Sequence, residues 1–169
     1  MEQSLRRVLF VDIDGVLHRG DSYAVGSRID SSAPGRIELF EYVPTLDGLL
    51  RCYPDVKVVL SSDWTFRFGV EPTLNMLPDS LLRRKVIGAT YQGCENELQW
   101  PRLSRGAQVL DYVRRHSLDD WLAVDDRKEG FEGHRDRLVH CQTEVGLEDS
   151  AVVALFRLRL RERFGEPST

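Results

Sequence analysis

Cysteine is scarce in this chain. Cys52, Cys94 and Cys141 are the three among 169 residues, far apart and with no Cys-x-x-Cys spacing. An odd, scattered set excludes a disulfide framework and a zinc site, and reads as buried thiols in a reducing compartment, so a cytoplasmic location is expected. No apolar run approaches the roughly 20 residues needed to span a bilayer, so no membrane is expected among the partners. No apolar segment precedes the first strand-like run, which argues against a signal peptide. A strong charge of either sign is missing as well. The net charge of −4 gives no global attraction to nucleic acid, though it leaves room for a local basic groove. Internal repeats and low-complexity tracts are absent. What remains is an ordinary globular composition, 41% hydrophobic and 30% charged. The length fits one domain with a full core, expected over residues 1–164, followed by a loose tail at 165–169.

Five short β-like runs recur: Val8–Asp12, Val56–Ser61, Lys85–Gly88, Trp121–Asp125 and Leu138–Cys141. Helical spacing lies between most of them, near 45–53, near 70–83 as one or two short helices, near 105–116, and again from Glu148 through Val152, Leu155, Phe156, Leu160 and Phe164. Strands alternating with helices predict an α/β fold: a doubly wound, Rossmann-like, five-stranded parallel sheet with helices on both faces. Residues 18–36 carry glycines, Pro34 and serines without a period, and read as a small irregular flap or hairpin beside the first strand. Residues 89–104 are also irregular. Neither insert is large enough for a cap domain.

The first strand ends abruptly in Asp12-Ile13-Asp14-Gly15. Two like charges at the end of a buried strand need a cation, a shared proton or a phosphate partner. Capping of a strand and turn is the plain alternative. A calcium loop fails for want of a third oxygen ligand before the glycine and a Glu at the loop end. In open α/β sheets, sites form beyond the carboxyl ends of strands. The second strand ends in Ser61-Ser62-Asp63-Trp64 and the fourth in Asp125-Asp126, while Ser104-Arg105-Gly106 opens a helix between strands three and four. Carboxylates for a divalent metal, a hydroxyl donor and a cation are what phosphoryl transfer requires.

These motifs resemble the haloacid dehalogenase-like (HAD) hydrolase superfamily, mostly magnesium-dependent phosphatases, and appear in its order between Val8 and Asp126. Leu60-Ser61-Ser62-Asp63-Trp64, Ile87-Gly88-Ala89-Thr90, Arg105-Gly106-Ala107-Gln108-Val109 and Gly146-Leu147 resemble a capless branch, the HAD domain of multi-enzyme RNA-repair proteins. The resemblance implies that Asp12 is the nucleophile and Asp14 the acid–base. It implies a Mg²⁺ held by Asp12, the Asp14 carbonyl and Asp125, with Asp126 a ligand directly or through water. Ser61, helped by the Ser62 backbone N–H, and Arg105 would bind the phosphate of a phosphorylated substrate, either a small molecule or a nucleic-acid end. Arginine stands where the superfamily more often has lysine. Arg102 competes with Arg105 for this place. His18 reads as polar surface or a neighbour of the leaving group, and Trp64 as core or a base-stacking platform. Arg157, Arg159, Arg161 and Arg163 read as a solvated helix or a nucleic-acid patch. No partner protein is inferable. Two other functions compete on this type of fold: a phospho-receiver module and a catalytically silent binding domain. A receiver is phosphorylated at the end of strand three, where this chain has Gly88-Ala89-Thr90 and no acid.

Overall fold

The computed structural model describes residues 6–26 and 28–169. In chain order the elements are β1 (Val8–Val11), a hairpin of β2 (Ser22–Val25) and β3 (Arg28–Ser31), α1 (Val43–Leu50), β4 (Lys57–Leu60), α2 (Asp63–Phe68), α3 (Val70–Met76), α4 (Leu81–Lys85), β5 (Val86–Ala89), α5 (Arg105–His116), β6 (Trp121–Asp125), β7 (Leu138–His140) and α6 (Ser150–Phe164). The five-stranded sheet is parallel throughout and runs β5-β4-β1-β6-β7. β1 is central, with Val8–Val11 registered against Lys57–Leu60 on one side and Trp121–Val124 on the other.

The pleat of β1 divides the core. Leu9 and Val11 pack with α1, α4 and α6, whereas Val8 and Phe10 pack with Val109 and Tyr112 of α5. Both faces of the sheet are therefore covered, which explains the nearly unbroken apolar runs of β1 and β6. Helix starts follow local chemistry. Ser62, Ser104 and Asp149 each accept a hydrogen bond from a backbone N–H in the first turn of α2, α5 and α6.

The structure sharpens some expectations and corrects others. Of the two readings of residues 18–36, flap or hairpin, the structure shows an ordered antiparallel hairpin, β2–β3. The one or two short helices expected near 70–83 are α3 and the start of α4, with α2 preceding them. Of the three free cysteines, Cys141 alone is buried; Cys52 and Cys94 are partly exposed. Three of the four α6 arginines are engaged locally: Arg159 pairs with Glu162, Arg161 with Glu166 and Arg163 with Asp136. These pairs favour the solvated-helix reading. Among the described residues, no helix is long and apolar enough to cross a membrane.

Candidate active site

The strand order brings the ends of β1, β4 and β6 side by side, and the acids and serines gather there. Asp12 is buried at the end of β1, with one oxygen accepting the N–H of Ile13 at 2.8 Å. Asp125 is fully buried and accepts the N–H of Arg127 at 2.9 Å. Asp126, half-buried, accepts the hydroxyl of Thr143 at 2.7 Å. Each of the three offers a carboxylate oxygen, all within 4.8 Å of one another. Gly15, at φ +71°, passes so close to Asp126 that a Cβ there would overlap its carboxylate.

Arg105 supplies the counter-charge. It is 2% exposed, and its guanidinium lies 3.5 Å from Asp63, 3.5 Å from Asp125 and 3.8 Å from Asp12. Its placement rests on two glycines. The N–H of Gly106 donates to the carbonyl of Glu129 at 2.9 Å, and the Gly130 backbone packs where a side chain on Gly106 would stand. Asp111 pairs instead with Arg114 and Arg115, so it does not draw Arg105 to the surface. Arg102 is exposed in a 3₁₀ turn.

Electrostatics follow from this crowding. Burial raises the Asp12 pKa well above the usual carboxylate value; Arg105 opposes that rise, and Asp125 and Asp126 add to it. Burial likewise pushes Asp125 up to about 6, against the pull of Arg105. Burial would lower the Arg105 pKa, but Asp12, Asp125, Asp63 and Asp126 together raise it, so it stays charged.

Four buried polar atoms at this centre make no hydrogen bond: Ser61 Oγ, Arg105 Nε and Nη1, and Asp125 Oδ2, although Arg105 Nε and Asp125 Oδ2 face each other as an ion pair at 3.5 Å. Buried polar groups are normally satisfied, so such a cluster points to a ligand. Ser61 Oγ and Arg105 Nη1 are the donors left without any partner and suit an anion; the Asp125 oxygen has room for a cation beside Arg105. The oxygen-only set of Asp12, Asp125 and Asp126 fits a hard divalent metal. Ser61, rather than Ser62, presents a free hydroxyl, because the Ser62 hydroxyl caps α2 through the N–H of Trp64 at 3.2 Å.

The Asp14 carboxylate does not join the three-acid cluster. It accepts from His18 Nε2 at 2.9 Å, Ser22 Oγ at 2.6 Å and Trp64 Nε1 at 3.0 Å. Its side chain is thus committed to these donors, and its carbonyl is the part left to the metal contact that the resemblance implied. His18 is fully buried and is not polar surface, and Trp64 is 3% exposed, so no face of its ring is open for a base. Asp14 faces a cleft of about 220 Å³ between the β2–β3 flap and α2, whose walls include Tyr23, Trp64, Arg67 and Arg127. Sequence reasoning missed His18 as an Asp14 partner, and missed Ser22, Arg127 and Thr143 altogether. Arg127 had a signal, since it directly follows Asp125-Asp126.

Residues 8–152 match the family described as the HAD domain in Swiss Army Knife RNA repair proteins. The match covers most of the sequence, and the chain belongs to this family. No curated protein matches it. Family and fold together make a hydrolase of the HAD type, with an aspartate cluster able to hold a metal.

Proposed function

We propose that this HAD-family chain is a magnesium-dependent phosphatase that hydrolyses a phosphate monoester through an aspartyl-phosphate. The observation carrying this reading is the set of unpartnered buried donors, Ser61 Oγ and Arg105 Nη1, beside the buried Asp12. A tetrahedral dianion satisfies them. Mg²⁺ held by Asp12, Asp125, Asp126 and the Asp14 carbonyl would offset the repulsion between carboxylate and phosphate. Asp12 attacks phosphorus and the ester P–O bond breaks. The departing oxygen takes a proton from Asp14. Asp14 then removes a proton from water, which attacks phosphorus and frees inorganic phosphate and the Asp12 carboxylate. Ser61 and Arg105 bind the phosphoryl oxygens throughout, and Arg105 gains most as charge builds on them.

A nucleic-acid end is the substrate we favour. Among the described residues no cap domain covers the cleft beside Asp14, and Tyr23, 58% exposed, lines it together with Arg67 and Arg127. An aromatic ring and cations at the mouth suit a base and its backbone phosphate. The phospho-receiver alternative is disfavoured by topology. In that arrangement the third strand adjoins the first, whereas here β5 lies at the sheet edge beyond β4.

The test is phosphate release from 4-nitrophenyl phosphate and from RNA and DNA oligonucleotides bearing 5′- or 3′-phosphates, with Mg²⁺ or EDTA. Release that depends on Mg²⁺ and favours an oligonucleotide is expected. No release, or equal release in EDTA, rejects the reading.

A further inference from the structure

His18 is a fully buried polar side chain with both ring nitrogens engaged. The backbone N–H of Phe40 donates to Nδ1 at 3.2 Å. Nδ1 therefore carries no proton, and Nε2 carries one and donates it to Asp14 at 2.9 Å. The imidazole is wedged between the rings of Phe40, at 5.7 Å, and Trp64, at 6.2 Å. Phe40 itself adopts a left-handed backbone, φ 63°, unusual for so bulky a residue. His18 is a fixed donor. It cannot shuttle protons, because its second nitrogen faces a backbone N–H rather than water.

A second contact reaches the same carboxylate from the flap. Ser22, in β2, donates to the Asp14 oxygen that His18 also holds, and accepts from Trp64 Nε1 at 3.1 Å. Two of the three anchors of Asp14 are thus set in the core, and one rides on a hairpin whose residues Tyr23, Ala24 and Val25 are exposed. Whatever enters between flap and α2 meets Ser22 and Asp14 together.

We propose that His18 and Ser22 are positioning residues for proton transfer at Asp14. His18 fixes the carboxyl toward the cleft, and Ser22 makes that orientation depend on a seated flap. This deepens the phosphatase reading and rests on it. Misplacement of an acid–base group is costly only where the leaving group needs its proton.

The experiment compares kcat/KM for 4-nitrophenyl phosphate, a good leaving group, with glycerol phosphate, a poor one, in Mg²⁺. His18→Ala and Ser22→Ala should each lose about tenfold or more on glycerol phosphate beyond any loss on the aryl ester. His18→Gln, which keeps an N–H donor, should recover part of it. A smaller folded fraction would scale both rates alike, so the ratio separates positioning from structure. Ser22→Ala lies on the flap and keeps the inference testable if the buried His18→Ala misfolds. Equal losses on both esters, or none, overturn the positioning role while leaving a phosphatase. A wild-type protein that releases phosphate from neither ester nor from 5′- or 3′-phosphorylated oligonucleotides overturns the phosphatase reading, and this inference with it.

Discussion

Replacing Arg105 by Ala removes the one buried cation among four acids. Two of its contacts lie at 3.5 Å. At an effective dielectric near 20, a charge pair at that range is worth about 4–5 kcal/mol. Desolvation offsets much of this in the intact pair, but deleting one partner strands the other and typically costs about 3–5 kcal/mol. For a chain of this size that is a fall in Tm of about 10 °C in EDTA. The loss should be larger at pH 8 than at pH 5, because the stranded acids can take up protons at the lower pH. Mg²⁺ should restore part of it by supplying positive charge to the same carboxylates. Saturating metal does not replace the guanidinium at the phosphoryl oxygens, so kcat should still fall about 10²–10³-fold. Arg105→Lys should recover part of both, since charge returns without the two-pronged geometry. Thermal melts with EDTA or Mg²⁺ and steady-state assays on 4-nitrophenyl phosphate read out the two effects. Arg114→Ala on the exposed face of α5 is the control. A folded Arg105→Ala protein with wild-type kcat/KM would refute the reasoning.

Asp12→Asn should abolish turnover without unfolding the chain, since it removes one charge from a repelling buried cluster; retained turnover would place the nucleophile elsewhere. Asp125 is raised by burial to about 6, so its penalty on the metal-free fold is absent below pH 3.8 and complete above about 6. Relative to Asp125→Asn, metal-free protein should therefore lose stability as pH rises through that window. Parallel melting curves for the two from pH 4 to 7 would contradict the assignment. Gly106→Ala forces a Cβ into the Gly130 backbone and should cost about 3 kcal/mol, and it should depress kcat by displacing Arg105. A neutral melting curve would show that the two loops part without strain.

All five sheet strands were legible, and the three that end in chemistry most plainly. β1, β4 and β6 are central, apolar on both faces and terminated by Asp12, Ser61 and Asp125, so composition and position announce them together. The hairpin was legible only as one of two readings of an irregular segment, without strand bounds. Ser22–Val25 and Arg28–Ser31 are mostly exposed, and without a buried face they show no alternation of apolar and polar residues. His18 was misread for a related reason. Its burial depends on Phe40 and Trp64, which are 22 and 46 positions away and leave no local pattern around it. Arg105 was found by its place in a motif, but its pairing with Asp63 and Asp125 depends on how close the Gly106–Gly130 contact lets α5 approach. That contact is a property of packing and has no periodicity to read.

The candidate site is assembled from two parts of very different cohesion. Asp12, Ser61 and Asp125 terminate adjacent strands in the middle of a five-stranded sheet covered on both faces. Ser22 and Tyr23 belong to a two-stranded hairpin, a unit with little stability of its own. Native-state amide exchange should resolve this boundary. The amides of β1 and β6 should exchange only through global unfolding, and those of β2 and β3 through cheap local opening. The protein can thus release and recapture whatever lies under the flap many times without loosening the charges that would act on it.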